Sequence, residues 1–206
     1  MINNAGLLAR DLSSSVDGLE MNFAVNVAAP WWLTHAVLPA LRRSTHPRVV
    51  NVTGGAPFGG LDVDNLQAEK GFLGLSTYSM AKRAMEAMSQ ELRRRLEPDG
   101  IDVVVVYPGG ASTSMTQGMS AGLLPWWMRP MWPVFAMFSR DDGGKSAKKA
   151  SRSSVWAATT RELGVSSDEF VRPDKTKKRL HKTVLDQDAQ RTVIETIESA
   201  RSNAGS

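Results

Sequence analysis

The sequence predicts an α/β fold, a doubly wound parallel sheet with helices packed against both of its faces. Two short valine-rich runs support this prediction, Arg48 to Thr53 and Ile101 to Tyr107, and each ends at a glycine or proline cluster. Both runs are largely apolar and do not alternate, which is typical of strands buried on both faces of a sheet. A stretch with helical periodicity separates them, and strands that alternate with helices favour a parallel sheet.

The helices are predicted from apolar residues that recur every three or four positions. The first helix is expected to begin near Asp17, which forms a capping signal with Glu20 three residues later, and to reach about Arg43. The second covers Thr77 to Leu96, and the third covers Gln187 to Ala200. Their apolar stripes are Ala81, Met85, Met88, Leu92 and Leu96 in the second helix and Val193, Ile194 and Ile197 in the third.

A short strand at Glu169 to Val171 completes the predicted elements. With 206 residues and no internal repeat, the chain is expected to form a single domain over residues 1–206.

The composition excludes several classes of site. The chain has no cysteine, which excludes disulfide frameworks and thiolate metal sites. Its three histidines are far apart in the sequence, so no metal site is expected. The basic run from Arg172 to Lys182 has no interleaved aromatic residues, which favours a solvated loop over a nucleic-acid surface. No secretory leader is recognised, and a cytoplasmic protein is expected.

Residues 118–140 form the most apolar segment, and residues 121–138 include three tryptophans and two phenylalanines among leucines and methionines. A membrane-spanning helix needs roughly 20 uninterrupted apolar residues. Arg129 and the prolines Pro125, Pro130 and Pro133 interrupt this segment, so it is not expected to span a membrane. Two interpretations stay open, an apolar lid over a pocket and a peripheral contact with a membrane surface.

Tyr78 and Lys82 are the residues that most directly indicate chemistry. Four residues apart near a helix start, they lie on one face of the helix and close enough to act together. A phenol with a pKa near 10 is a weak acid or base at neutral pH, and a neighbouring ammonium is expected to lower that pKa. Such a pair suits general acid–base catalysis, although an exposed Tyr–Lys pair on a helix is common in other proteins.

Five motifs in order give this pair its context. The chain contains Asn3-Asn4-Ala5-Gly6, the helix with Asn26, Val49-Val50-Asn51-Val52, Tyr78 to Lys82, and Pro108-Gly109 with Thr113 five residues after the proline. In this order the motifs resemble the short-chain dehydrogenase/reductase family, and the resemblance covers nearly the whole chain. The segment Leu61 to Leu66 is similar to the retinol-dehydrogenase-like subgroup.

The resemblance implies a Rossmann-type fold and an oxidoreductase that moves hydride between NAD or NADP and an alcohol or carbonyl substrate. Tyr78 would exchange a proton with the substrate oxygen, Lys82 would lower its pKa and bind the nicotinamide ribose, and Asn26 would hold a water that links Lys82 to solvent. Cofactor contacts would come from Asn3, Ala5, Gly6, Tyr78, Lys82, Pro108, Gly109 and Thr113. A lipophilic substrate and a homodimer formed through the helices of Asn26 and Tyr78 are also expected.

Pro30 bears on the role of Asn26. Proline has no N–H, so it cannot make the helical hydrogen bond to the carbonyl of residue 26, four positions earlier. The Asn26 carbonyl would then be free to bind water. Alternatively, Pro30 only kinks the helix.

Two departures from the family pattern weaken the expected activity. Gly54 stands where the family has its catalytic serine, and loss of such a donor costs on the order of 10²–10³ in rate at comparable sites. Thr53 has a hydroxyl, but strand alternation should point it away.

The second departure is the glycine-rich phosphate turn of the family, which no segment of this sequence matches. A partial Rossmann-type sheet without the first strands, with an open edge and weak cofactor binding, is therefore expected. The alternative function is a catalytically impaired relative that acts through protein or membrane-surface contacts.

Overall fold

A computed structural model describes residues 1–54, 59–110, 119–124, 126–138 and 144–204. Its centre is a five-stranded sheet whose strands lie side by side in chain order. The first four strands are parallel, and the fifth is antiparallel to the fourth. The strands are β1 (Ile2–Asn3), β2 (Arg48–Val52), β3 (Asp102–Val106), β4 (Glu169–Val171) and β5 (Lys177–Arg179).

The two valine-rich strands are buried on both faces, which confirms the predicted fold class. Alternate residues of β2 and β3 belong to different apolar clusters. Val49, Val103 and Val105 belong to one cluster, whereas Val50, Val52, Val104 and Val106 belong to another. Two cores therefore lie on opposite faces of one sheet, as the absence of alternation in the sequence indicates.

Helices cover both faces of the sheet. The helices are α1 (Met21–Phe23), α2 (Ala29–Leu41), α3 (Gly74–Leu96), α4 (Trp132–Phe138), α5 (Lys145–Thr159) and α6 (Gln187–Ala204). A π-helical segment, Ala24–Ala28, joins α1 directly to α2. The larger core contains the predicted stripes of α3 and α6. On the other face, α5 contributes Ala157 to the smaller core.

The first helix begins later than predicted, because Glu20 and not Asp17 is its N-cap. The Glu20 carboxylate accepts hydrogen bonds from the Phe23 backbone N–H at 2.9 Å and from Asn22 Nδ2 at 2.7 Å. Asp17 lies in the preceding turn, where its N–H donates to Ser15 Oγ at 3.2 Å. The helix therefore begins within about one turn of the predicted start, but Glu20 and not Asp17 caps it.

Other boundaries also differ from prediction. Helix α3 begins at Gly74 instead of Thr77, and the side chain of Thr77 accepts a hydrogen bond from the Leu73 N–H at 3.0 Å, just before the helix. Helix α6 continues four residues beyond the predicted Ala200. The sequence did not predict α5 or β5; all three residues of β5 are exposed lysine or arginine, so no apolar pattern marks this strand.

Candidate active site

The predicted catalytic residues meet at the carboxyl ends of the parallel strands. Gly6 follows β1 and Gly54 follows β2, while α3 crosses this edge and brings Tyr78 and Lys82 to it. In open α/β sheets, ligands bind in the crevice outside the carboxyl ends of the strands. The sheet therefore gathers residues that are distant in sequence at the position where a ligand is expected.

Lys82 lies at the centre of this cluster. Its side chain is buried, and Nζ donates a hydrogen bond to the Val52 carbonyl at 3.2 Å. Gly6 lies against it, since a Cβ at position 6 would be 3.5 Å from Lys82 Nζ and 3.1 Å from Asn26 Oδ1. Gly6, Asn26 and Lys82 are thus brought together.

Asn26 is held by the backbone that follows β1. Its Nδ2 donates to the carbonyls of Leu7 at 2.8 Å and Asn22 at 2.9 Å, and its Oδ1 accepts from the Leu7 N–H at 3.2 Å. Asn26 lies within the π-helical segment, whose wide turn is closed by the Ala29 N–H bonded to the Ala24 carbonyl. The asparagine fixes the loop after β1, and its proposed water-binding role stays a prediction.

Tyr78 lies where a serine side chain at position 54 would be. A Cβ built on Gly54 would be 2.6 Å from Tyr78 Oη and 3.0 Å from Lys82 Cγ. The absence of a side chain therefore lets the tyrosine approach β2 directly. Thr53 does not replace the serine, because its Oγ1 donates to Glu86 Oε1 at 2.5 Å. This agrees with the expectation that strand alternation points Thr53 away.

The ionisation of the pair differs from the sequence-based expectation. Burial, together with Tyr107, raises the pKa of Tyr78 to about 12, so the expected lowering is absent in this arrangement. Lys82 Nζ is 5.8 Å from the centroid of the Tyr78 ring and donates to Val52, and the cost of desolvating a phenolate dominates. Burial lowers the pKa of Lys82 to about 8, and Glu86 opposes that shift. The Tyr78 phenol therefore stays protonated at neutral pH.

Glu86 is a site residue that the sequence analysis missed. It lies one helical turn after Lys82 and is 1% exposed. Besides Thr53, it is bonded by Arg83 Nη1 at 2.9 Å. Burial raises the pKa of its carboxyl, and Arg83 opposes this shift. A signal was present, because Glu86 falls on the buried face of the helix beside Met85, where a carboxylate is unusual.

Part of the apolar segment at residues 121–138 packs against Tyr78. Leu123, Leu124 and Met128 are buried and form one apolar cluster with Leu8, Leu75 and Tyr78. Gly74 permits this contact, since a Cβ there would be 2.9 Å from the Leu123 backbone oxygen. The opposite side of the segment is open, with Trp126 79% and Trp127 60% exposed. None of the helices in the described ranges has both the length and the apolar content needed to cross a bilayer.

The remaining predicted cofactor residues are placed as follows. Asn3 Nδ2 donates to Asn51 Oδ1 at 2.7 Å, which links β1 to β2. Ala5 is exposed beside Gly6. Pro108 and Gly109 follow β3 at the same edge of the sheet, and Gly109 has a positive φ of 78°. Thr113 lies outside the described residues.

The fold and this site define a Rossmann-type α/β protein with a Tyr–Lys–Asn cluster at the carboxyl edge of its sheet. A model of the short chain dehydrogenase family matches residues 1–123, so the chain belongs to that family, as the motifs predicted.

Relatives of known sequence support the predicted subgroup. Human retinol dehydrogenase 11 is 33% identical over 168 residues, which are 81% of this chain and 49% of the relative. Human retinol dehydrogenase 14 is 30% identical over 174 residues, which are 82% of this chain and 49% of the relative. The chain thus spans about half the length of the curated relatives it matches.

Solved structures share the fold. An uncharacterized protein from Mycobacterium paratuberculosis superposes with a TM-score of 0.63 at 23% identity, over 97% of this chain and 65% of its own. An NADPH-bound carbonyl reductase from chicken fatty liver gives 0.53 at 19% identity, over 87% of this chain and 64% of its own. At these identities the likeness concerns the fold alone.

Proposed function

We propose that the chain supplies the catalytic residues of an NAD(P)-dependent oxidoreductase that transfers hydride between the nicotinamide and a lipophilic alcohol or carbonyl substrate. The observation that supports this most is the meeting of Tyr78, Lys82 and Asn26 beneath an apolar lid. The names of the retinol dehydrogenase relatives suggest a retinoid-like substrate.

The residues at the sheet edge fit a nicotinamide cofactor. Gly6 carries no side chain beside Lys82 Nζ and Asn26 Oδ1, and Ala5 and Gly6 are exposed, which leaves the backbone after β1 accessible to a ligand. Ala5, Gly6, Lys82, Pro108 and Gly109 would hold the cofactor, together with Asn3 and Thr113 as first predicted. When bound, the nicotinamide supplies or accepts the hydride.

The chain's own residues would manage the proton. In carbonyl reduction, the neutral Tyr78 hydroxyl donates its proton to the substrate oxygen as hydride reaches the carbonyl carbon. Lys82, whose pKa is about 8, carries a proton at neutral pH and returns one to the phenolate. The apolar contacts of Leu123, Leu124 and Met128 keep water from the Tyr78 ring.

Replacement of Tyr78 by Phe tests this proposal. The variant keeps the ring in the apolar cluster and removes the proton donor, so kcat for NADPH-dependent reduction of retinaldehyde should fall by about 10²–10⁴. Cofactor binding, followed by nicotinamide fluorescence, and the melting temperature serve as controls. Unchanged turnover in Tyr78→Phe would refute the proposed role.

A catalytically impaired relative is the second candidate, and Gly54 favours it because no serine hydroxyl is present at that position. Wild-type protein that binds a protein or membrane partner but neither binds NADH or NADPH nor reduces any carbonyl compound would support this alternative.

A peripheral membrane contact can accompany either function. Trp126, Trp127, Met131 and Val134 are between 49% and 79% exposed on the outer side of the lid. Tryptophan side chains of this kind favour the interface between headgroups and acyl chains. A homodimer and a cytoplasmic location likewise remain proposals.

Liposome flotation tests the membrane contact. Trp126→Ser combined with Trp127→Ser should reduce the floated fraction several-fold, because both rings would leave the interface. Leu12→Ser with Val16→Ser is the matched control, since these residues are 58% and 101% exposed elsewhere on the surface. Equal flotation of the two double variants would contradict the assignment.

A further inference from the structure

A cavity of about 560 Å³ lies beside the candidate active site and has no role in the proposed chemistry. Helix α3, the end of β3, the β4–β5 hairpin and the segment after β5 surround it. Its basic lining residues come from three of these elements: Arg83, Arg172, Lys178, Arg179, His181 and Lys182. Its size lies within the range of pockets that hold small molecules.

The lining carries a strong excess of positive charge. Five side chains are arginine or lysine, and Glu86 is the only carboxylate among the described residues that line the cavity. That carboxylate is already bonded to Thr53 and Arg83, at 2.5 Å and 2.9 Å. The negative charge of Glu86 therefore balances the positive charge of Arg83. The positive charges on the hairpin side of the cavity remain in excess.

The hairpin cations have few carboxylate partners. Arg179 faces Asp168 at 3.5 Å, but its side chain is 85% exposed, so water screens this pair strongly. Among the residues that the structure describes, Lys178 and Lys182 form no ion pair, and Arg172 is attracted to the exposed Asp174 without forming a close pair. Like charges gathered around a concave surface repel each other, and an anion that enters relieves this repulsion.

The chemistry of the lining favours a phosphate group. Guanidinium groups donate pairs of N–H bonds that match phosphate oxygens, and lysine ammonium groups add point charges. Arg83, Arg172 and Lys178 approach the cavity from helix α3, from the turn after β4 and from strand β5, so donors surround a ligand from several directions. Tyr107 and Phe170, packed edge to face with centroids 6.2 Å apart, form the apolar part of the wall.

We propose that this cavity binds a phosphate-bearing anion, either a soluble phosphorylated compound or the headgroup of an anionic lipid. The site is separate from the hydride-transfer cluster, although it shares a wall with it. Glu86 lines the cavity and is one helical turn from Lys82, and Tyr107 lines the cavity and directly precedes Pro108. Binding at this site does not depend on the proposed enzymatic activity.

The test compares two double variants that lose the same charge. Lys178→Gln with Lys182→Gln removes two exposed cations of the cavity, whereas Lys148→Gln with Lys149→Gln removes two exposed cations of α5. Binding of inorganic pyrophosphate is measured by calorimetry at one fixed ionic strength. The wild type and the α5 variant should bind alike, and the cavity variant should bind at least about tenfold more weakly, since each lost charged hydrogen bond contributes substantially.

A second experiment, with lipid vesicles, identifies the source of the phosphate group. The fraction of protein that sediments with vesicles is measured for phosphatidylcholine alone and for phosphatidylcholine with phosphatidic acid. A contact through residues 121–138 contributes to both fractions, so their difference reports binding to the phosphate headgroup. Pyrophosphate binding supports a soluble ligand, and cavity-dependent binding to phosphatidic acid alone supports a lipid headgroup. The proposal is overturned if the wild type binds neither probe, or if both double variants lose binding equally. Unfolding curves of each variant confirm that all three proteins are folded.

Discussion

At the scale of single residues, position 54 determines how Tyr78 meets strand β2. With no side chain at Gly54, the phenolic oxygen lies 2.6 Å from the point that a Cβ would occupy. Any larger residue must displace the tyrosine, since real Cβ atoms do not approach other atoms so closely. The missing serine therefore affects both the supply of hydrogen-bond donors and the position of Tyr78 itself.

Two substitutions at position 54 separate these effects. Gly54→Ala adds the Cβ without a hydroxyl, so it should displace Tyr78 and lower kcat/KM. Gly54→Ser causes the same displacement but adds a donor for the substrate oxygen, and should exceed the alanine variant by about 10²-fold. Steady-state kinetics measure both, with melting temperatures as the folding control. Equal kcat/KM values would show that a hydroxyl at this position contributes nothing.

The identity of the site residues was more predictable than their ionisation. Tyr78, Lys82 and Asn26 were found because their spacing and order are visible in the sequence. The raised pKa of Tyr78 could not be predicted, because it depends on burial by residues such as Leu123, which lies over 40 positions away in sequence. Glu86 was missed since its partners, Thr53 and Arg83, become visible only when β2 and α3 are packed together.

At the scale of secondary structure, the beginning of the first helix depends on Glu20. This side chain is 3% exposed and satisfies the Phe23 N–H, which would otherwise have no partner at the helix start. The helix carries Asn26, so its N-terminal geometry sets where the asparagine meets the loop after β1.

Glu20→Ala should therefore lower the free energy of unfolding by about 1–2 kcal/mol, since it removes an N-cap and leaves buried donors unpaired. Asp17→Ala is the matched control, and a change below about 0.5 kcal/mol is expected for a residue that makes no cap. Urea denaturation followed by circular dichroism measures both. A larger loss of unfolding free energy in Asp17→Ala than in Glu20→Ala would show that Asp17 is the helix cap.

Strand β5 was not predicted, because its formation depends on pairing with strand β4. The residues of β5 are Lys177, Lys178 and Arg179, a sequence with no strand propensity of its own. They form a strand because β4 offers an edge and the turn between them is short. By contrast, β2 and β3 were predictable, since burial on both faces leaves a continuous apolar run.

At the scale of the whole molecule, the sheet separates two cores, and a buried lysine lies at the carboxyl end of strand β2. Lys82 is 5% exposed, and burial lowers its pKa to about 8. Since its pKa is near 10.5 in the unfolded chain, the unfolded state binds more protons between these values. The free energy of unfolding must therefore rise with pH across this interval.

Comparison with Lys82→Met measures this contribution. From about pH 7.5 to about pH 10, the wild type should gain on the order of 2 kcal/mol in stability relative to the variant, because the cost of burying a charged lysine disappears. The raised pKa of Tyr78 acts in the opposite direction only above about pH 10. Chemical denaturation at several pH values gives the difference. Parallel pH profiles of the two proteins would show that Lys82 is not desolvated.

If residues 121–138 act as the proposed lid, the two sides of this segment have a kinetic consequence. Leu123, Leu124 and Met128 pack with Tyr78, while Trp126 and Trp127, a few residues away, are exposed. If those tryptophans rest on lipid, a lipophilic substrate can pass from the bilayer to the site without crossing bulk water. Turnover would then follow the mole fraction of substrate within the membrane, and dilution with inert lipid would slow the reaction at constant total substrate.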